Sequence, residues 1–439
     1  MSNELFETVL YLPSQAAAET EATIVKWCVA AGDSFVKGQQ LAEVESAKST
    51  FEFEAPCDGF VEVLLLAEGG TTPFDAPVIR IKTADQSLKQ DIPAAAAKSE
   101  IPVMDVPAVA PKKIGDKVKT VSLLGIGAYL PERIVRNSEL IVEHPDINED
   151  YIFGVTGIRE RHWAKQGEKP SDMAFAASRQ AIERSGLRPE DIDGIIVSTA
   201  TPEMVMPSTA CLLQEKLGIR GVPAFDLNAA CSGLVYAITV AKGLITMGMC
   251  KNVLVAGVEM QSRLLDKKDR DTYFLFGDGA GATVISGSHE GHVIKNEILL
   301  ADPAGIRMAR RETPGYETAP NSSAFDPWIR LDGKALFRFA TTSFANMIRE
   351  LIIKSDWQPS DVRWVVPHQA NGRILKAAAQ KSGVPFERFY LNIDKVGNTS
   401  SASIPIALSE IALGLQKKDK IVFCTVGAGI TAAGISIEW

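Results

Sequence analysis

Val222-Pro-Ala-Phe-Asp-Leu-Asn-Ala-Ala-Cys-Ser-Gly233 reads as a strand running into a helix, with Cys231 at the junction. The helix is expected to continue to Met247. A helix N-terminus presents unpaired N–H groups and a partial positive charge. Both favour a thiolate, so the Cys231 pKa is expected to be lowered. The small neighbours Ala229, Ala230, Ser232 and Gly233 leave room for a substrate beside the sulfur. A cysteine in this position is also a common core residue, so a catalytic reading needs partners. Two later segments offer them. In Val366-Pro-His-Gln-Ala-Asn-Gly-Arg373, His368 ends a strand before a helix; in Val396-Gly-Asn-Thr-Ser-Ser-Ala-Ser403, Asn398 sits in a Gly/Ser turn. Cys, His and Asn on separate strand ends is a usual build of a covalent site in an α/β fold. His144, His162, His289 and His292 lack such a context and read as surface or structural residues.

Strands and helices alternate around this stretch from about residue 117. Ile195–Ser198, Asn252–Ala256, Trp364–Val366 and Ile421–Thr425 read as buried strands, and Asp172–Ser185 as an amphipathic helix. This is an α/β pattern. Its length suits two fused halves, although no repeat is visible in the residues. Residues 1–82 differ. Short alternating runs, Ala22–Trp27, Phe51–Glu54 and Phe60–Leu64, are split by Gly32-Asp33, Gly38 and Asp58-Gly59, which predicts a small all-β barrel or sandwich. Residues 83–116 are rich in Ala, Pro and Lys and read as an extended linker. The predicted organisation is therefore residues 1–82, a linker over 83–116, and a domain over 117–439.

Composition bounds the function. With 439 residues, 46% hydrophobic and 23% charged, the chain reads as soluble, with two to three domains. No apolar run reaches the roughly 18–20 residues of a membrane span. The first residues have no basic or apolar signal region, and a cytoplasmic location is expected. Cys28, Cys57, Cys211, Cys231, Cys250 and Cys424 form no CxxC pair or zinc spacing, so neither a disulfide framework nor a metal is expected. Residues 1–82 carry 13 acidic and 5 basic side chains, which accounts for the whole net charge of −8. An acidic unit suits docking to basic surfaces, and it equally suits solubility. No basic stripe supports nucleic-acid binding.

Lys37-Gly-Gln-Gln-Leu-Ala-Glu-Val-Glu-Ser-Ala-Lys48, with Phe51-Glu-Phe-Glu-Ala-Pro56 and Asp58-Gly59, resembles the lipoyl domains of 2-oxo acid dehydrogenase complexes. The resemblance implies lipoate amide-linked to Lys48, a lipoyl ligase or complex partner, and a tethering role if the lysine is unmodified. That family has Asp before the lysine where this chain has Ala47. Biotin domains have Met on each side, unlike Ala47 and Ser49.

Gly125-Ile-Gly-Ala-Tyr-Leu-Pro131, Thr156-Gly-Ile-Arg-Glu-Arg161, Ala229-Ala-Cys-Ser-Gly233, Phe276-Gly-Asp-Gly-Ala-Gly-Ala282, Pro367-His-Gln-Ala-Asn371 and Gly397-Asn-Thr-Ser400 occur in the order of 3-oxoacyl-(acyl-carrier-protein) synthase III. Residues 118–439 resemble that family, which implies the five-layered thiolase-like fold of two similar βαβαβ halves. It also implies a homodimer and decarboxylative condensation of an acyl group with malonyl-acyl-carrier protein. Cys231 would carry the acyl group. His368 and Asn398 would hold the malonyl thioester oxygen, and the N–H groups of Cys231 and Ala428 would form the oxyanion hole. The donor would be an acyl-CoA or acyl-carrier-protein thioester, with no metal. At the entrance the family's Trp and Arg are Tyr151 and Val155 here, while Arg270, Asn371 and Arg373 are retained. That weakens CoA recognition and suits a starter delivered on a carrier. Arg338, Lys376 and Lys381 match positions that dock acidic carriers. Met206 replaces a Phe that limits the acyl pocket, and Glu203 stands near that pocket as a possible extra base. Two alternatives remain: a non-decarboxylating acyltransferase on this fold, and an assembly module tethered through residues 1–82. Gly427-Ala-Gly-Ile-Thr-Ala432 fits a dinucleotide fingerprint, but too little chain follows for the rest of that motif.

Overall fold

The computed structural model describes residues 5–13, 21–46, 49–74, 76–88, 120–288, 291–312 and 325–439. The chain divides into two units, residues 1–106 and 107–439.

Alternating side chains build the first unit. In Thr50-Phe-Glu-Phe-Glu54, Phe53 is buried while Glu52 and Glu54 face out, as a strand with one wet face requires. One four-stranded sheet runs Phe6–Tyr11, Pro77–Thr83, Gly59–Leu64, Ser34–Phe35; the other runs Thr50–Glu54, Gln40–Ser46, Glu21–Trp27, Thr71–Pro73. Ile24, Leu41, Val44, Ile79 and Ile81 form their shared core. The first residues of the expected linker belong to this unit: Thr83 is buried, and Leu88 packs on the core and accepts a hydrogen bond from Thr8 Oγ at 2.9 Å. The rest of that stretch, from residue 89, lies outside the described residues.

In the second unit, nine strands are ordered Ala224–Leu227, Gly194–Ser198, Asn252–Met260, Asp278–Ser286, Ser122–Tyr129, His292–Ala301, Thr431–Glu438, Lys420–Gly427, Val362–Pro367. Strand direction reveals the repeat that the residues conceal. From the first edge inward the pairings are parallel, parallel, antiparallel, antiparallel. From the other edge they are a parallel bridge at Val365–Phe389, then parallel, antiparallel, antiparallel. Within the sheet the two halves are joined through His292–Leu123 and Val293–Ser122.

Helices Gly233–Thr246 and Ser403–Ile411 lie in the middle layer. Their apolar faces share one core with strands of both halves, including Val255, Ile285, Phe423 and Ile435. Helix Pro170–Ser185 covers the outside of the first half, and helices Gly333–Lys354 and Gly372–Ser382 cover the second. The layering is therefore helix, sheet, helix, sheet, helix. Close approach explains the glycines of Phe276–Ala282: a Cβ on Gly277 would fall 2.2 Å from the Val396 carbonyl oxygen, and one on Gly281 2.4 Å from Pro405 Cγ.

Gly281→Ala should therefore force the Ser403–Ile411 helix outward and cost about 1–3 kcal/mol of overpacking strain. A lowered urea midpoint would show it; an unchanged midpoint would mean that this packing has slack.

Candidate active site

Both middle helices begin the same way. Gly233–Thr246 follows a 3-10 turn at Ala230–Ser232, and Ser403–Ile411 follows one at Ser400–Ala402. Each turn opens on a non-glycine residue with positive φ, Ala230 at 48° and Ser400 at 50°. Such strain persists only where the surroundings enforce it. Here the last hairpin does so: Thr425 Oγ donates to the Cys231 carbonyl at 2.9 Å and Thr431 Oγ to the Ala229 carbonyl at 3.1 Å. A Cβ on Gly427 would lie 2.9 Å from the nitrogens of Cys231 and Ser232, so a glycine is needed where the hairpin backbone passes this turn. Gly427–Ala432 is thus a tight hairpin between Lys420–Gly427 and Thr431–Glu438, not a nucleotide-binding turn.

The turns converge on one cavity of about 870 Å³, within the usual range for small-molecule sites. Cys231, His368, Asn398 and Ala428 all line it. Ser400 Oγ donates to Cys231 Sγ at 3.2 Å. His368 Nδ1 lies 3.0 Å from Ser403 Oγ, leaving Nε2 for the cavity. Asn398 Oδ1 accepts from Ser400 N at 2.8 Å, and Nδ2 donates to the Ala370 carbonyl at 3.3 Å. Those two bonds fix which end of the amide is the donor.

The expected lowering of the thiol pKa is not found. Burial pushes Cys231 up to about 12, against the pull of the Ser400 hydroxyl and with a further push from the charge of Glu259. Desolvation outweighs the helix terminus. Burial likewise holds the His368 imidazole down at about 3. Near neutral pH both groups are uncharged.

Glu259 is the residue that sequence reasoning missed. It is fully buried on Asn252–Met260, and burial pushes its carboxyl up to about 7 against hydrogen bonds from Thr201, Ser401, Ala200 and Ser400. One acid in the apolar run Val253-Leu-Val-Ala-Gly-Val-Glu-Met260 was the available signal.

At the mouth, Tyr151, Val155, Arg270, Arg338, Asn371 and Arg373 line the cavity; Lys376, Lys381, Met206 and Glu203 do not. Asn371 is already engaged: it caps helix Gly372–Ser382 through Arg373 N at 2.9 Å and donates to the Val155 carbonyl at 3.0 Å. It braces the entrance rather than standing free for a ligand. Arg270 pairs with Asp146 and lies 3.3 Å from His144 Nδ1. Lys376 is exposed one turn beyond Arg373, outside the rim, and Lys381 is also exposed. Met206 stands exposed with Val205 on the loop before Pro207, so it limits no pocket within this chain. Glu203 accepts from Ser171 N at 3.0 Å at the start of helix Pro170–Ser185, which makes it a helix-end partner, not a base. His144 is buried and His292 stacks on Trp439, while His289 lies outside the described residues. Of the other cysteines, Cys57, Cys250 and Cys424 are buried, but Cys28 and Cys211 are exposed. Lys48 and Ala47 also lie outside the described residues. The strands that flank them pair through Glu45–Thr50, and Ser46 N donates to the Ser49 carbonyl at 2.8 Å. Among the described residues no helix is long and apolar enough to cross a membrane, and no group of three or more metal-ligating side chains occurs.

A duplicated mixed sheet around two buried helices, with a thiol at the mouth of one of them, defines a thiolase-like fold of the acyl-transferring kind. Comparison narrows the class. Family descriptions match residues 225–302 (3-oxoacyl-(acyl-carrier-protein) synthase III), 352–439 (its C-terminal part) and 8–81 (biotin-requiring enzyme). Beta-ketoacyl-(acyl-carrier-protein) synthase III of Caldanaerobacter subterraneus subsp. tengcongensis is 39% identical over 322 residues, covering 72% of this chain and 97% of that protein. The crystal structure of 3-oxoacyl-(acyl-carrier-protein) synthase III from Aquifex aeolicus aligns at 39% identity and TM-score 0.67, covering 73% and 100%. A priming beta-ketosynthase of the R1128 polyketide pathway aligns at 32% identity and TM-score 0.69, covering 72% and 96%. The chain belongs to the beta-ketoacyl-(acyl-carrier-protein) synthase III family, an acyltransferase family, and carries a biotin/lipoyl-type domain before it.

The pKa shifts set a pH test. Folded His368 lies below the ordinary 6.5, so its contribution to stability is full above about pH 6.5 and is lost as pH falls towards 3. Glu259 lies above the ordinary 4.5, so its contribution is full below about pH 4.5 and is lost as pH rises towards 7. Comparison with His368→Asn separates the two. The wild-type urea midpoint should fall more than that of H368N between pH 6.5 and 4; parallel curves would contradict a buried neutral histidine.

Proposed function

We propose that the chain joins an acyl group to a malonyl unit with loss of CO2. The observation that carries this reading is the shared cavity of Cys231, His368, Asn398 and Ala428. Cys231 attacks an acyl thioester of CoA or of acyl-carrier protein. The tetrahedral oxyanion is met by the N–H groups of Cys231 and Ala428, two residues that both line the cavity. Malonyl-acyl-carrier protein then enters. His368 Nε2–H and Asn398 Nδ2 hold its thioester oxygen, and the bond to the carboxylate breaks, leaving its electron pair as an enolate. Ser403 Oγ donating to Nδ1 would select the required tautomer. The enolate attacks the acyl carbon and expels the Cys231 thiolate. Neutral His368 suits this role, because a donor is needed and not a charge.

Arg338 and Arg373 at the rim suit the phosphates of a CoA or phosphopantetheine arm, or an acidic carrier surface. The exposed apolar loop Met204-Val-Met206 supports a homodimer that covers it. Lys48, by its motif, fits amide attachment of lipoate by a ligase; the group would supply a thiol-bearing carrier arm. The pathway served is fatty-acid initiation or a related secondary route, in the cytoplasm.

Malonyl-acyl-carrier protein plus a panel of acyl-CoA and acyl-carrier-protein donors should give 3-oxoacyl product and CO2 in equal amounts. Cys231→Ala should abolish product, and H368A or N398A should lower CO2 release by about 10²–10⁴-fold. Acyl transfer to an alcohol or amine without CO2 would replace this reading with a non-decarboxylating transferase.

A further inference from the structure

The condensation steps leave Glu259 unused, yet it lies one hydroxyl away from the nucleophile. Its carboxylate receives Ser400 Oγ at 3.3 Å, Ser401 Oγ at 2.9 Å, Thr201 Oγ at 2.9 Å, Gln261 Nε2 at 3.2 Å and Ala200 N at 3.3 Å. These partners are all neutral. Burying a carboxylate without a cation is costly unless it has a use or a proton. Ser400 is the only one of the five that also reaches a reacting atom, Cys231 Sγ at 3.2 Å. Its hydroxyl carries one proton for two acceptors, so thiol and carboxylate are joined through it. The left-handed backbone at Ser400 holds that hydroxyl between them.

We infer that Glu259 stores the thiol proton of Cys231 during each catalytic cycle, acting as a positioning residue through the Ser400 hydroxyl. This rests on the acylation of Cys231 proposed above. As sulfur attacks the thioester carbon, the S–H bond breaks and its proton passes to Ser400 Oγ. The Ser400 O–H proton passes at the same time to Glu259 Oε1. The new C–S bond forms, the donor C–S bond breaks, and the departing thiolate takes a proton from solvent. Glu259 stays protonated beneath the acyl-enzyme. When the enolate expels the Cys231 thiolate, the proton returns by the same path, so Glu259 and Ser400 end unchanged.

The alternative acceptor in the cavity is His368, whose basicity burial has lowered to about 3; Glu259, at about 7, is the better base. The high thiol pKa makes the transfer concerted with attack rather than prior to it. Glu259 is joined to Cys231 through Ser400, and Asp278, on the adjoining strand, has its carboxylate held by Ser262 and Ala164.

The test uses the full chain and two partial reactions. Single-turnover acylation of Cys231 is measured with acetyl-, butyryl- and octanoyl-CoA. Decarboxylation of malonyl-acyl-carrier protein is measured after Cys231 has been blocked with iodoacetamide. Glu259→Gln and Ser400→Ala should slow acylation about 100-fold while decarboxylation changes by less than about twofold. Equal loss in both partial reactions would make Glu259 merely structural and overturn the inference. A wild-type measurement avoids reliance on how the variants fold. Infrared difference spectra before and after acylation should show a new protonated-carboxyl band that E259Q lacks. Wild-type protein shown by mass spectrometry to carry the acyl group, yet without that band, would overturn the proton store and leave the condensing reading intact. No acyl adduct on Cys231 from any of the three donors, or from the matching acyl-carrier proteins, would overturn both.

Discussion

The site depends on the contact between two strained turns, Ala230–Ser232 and Ser400–Ala402, where a 3.2 Å bond joins Ser400 Oγ to Cys231 Sγ. Each turn belongs to a different half of the sheet. Neither half alone contains a complete cavity: the first contributes the thiol, and the second contributes His368, Asn398 and the Gly427 hairpin. The middle helices bring the turns together because their apolar faces share one core with both halves. Glycines 257, 277, 281 and 427 remove the side chains that would hold the layers apart. Packing of the interior therefore sets the geometry of the chemistry.

Desolvation governs the electrostatics. In water, a helix terminus and a nearby imidazole would favour a thiolate–imidazolium pair. In this interior, both groups are driven towards neutrality, and the helix terminus cannot offset the loss of water. At the entrance, Asn371 and Arg270 are committed to a backbone carbonyl and an ion pair, and Arg338 and Arg373 also line the cavity.

Much of this was legible in the residues. Hydrophobic runs located the central strands to within a few positions; Asn252–Ala256 proved longer, reaching Met260, because Val258 and Met260 continue the buried face. Cys231, His368 and Asn398 were found from their positions after strands, and the structure brings them to one cavity. The two fused halves were expected from chain length and the family resemblance, but no side-chain repeat displayed them, since the duplication lies in strand direction and order. Neither was the state of the thiol, which depends on how much water the fold excludes. Glu259 and Ser400 escaped notice because their meaning arises from a contact across 141 residues. Asn371 and Glu203 were read as site residues for their type, but each is spent on a helix start. Lys48 rests on its motif alone.

The central claim is that Cys231 carries the acyl group between two half-reactions. Peptide-resolved mass spectrometry of protein quenched after exposure to acyl donors, and again after malonyl-acyl-carrier protein, tests it directly. The account predicts an acyl mass on the Cys231 peptide that disappears as the 3-oxoacyl product forms. An acyl mass on another residue, or one on Cys231 that persists while product accumulates, would contradict it.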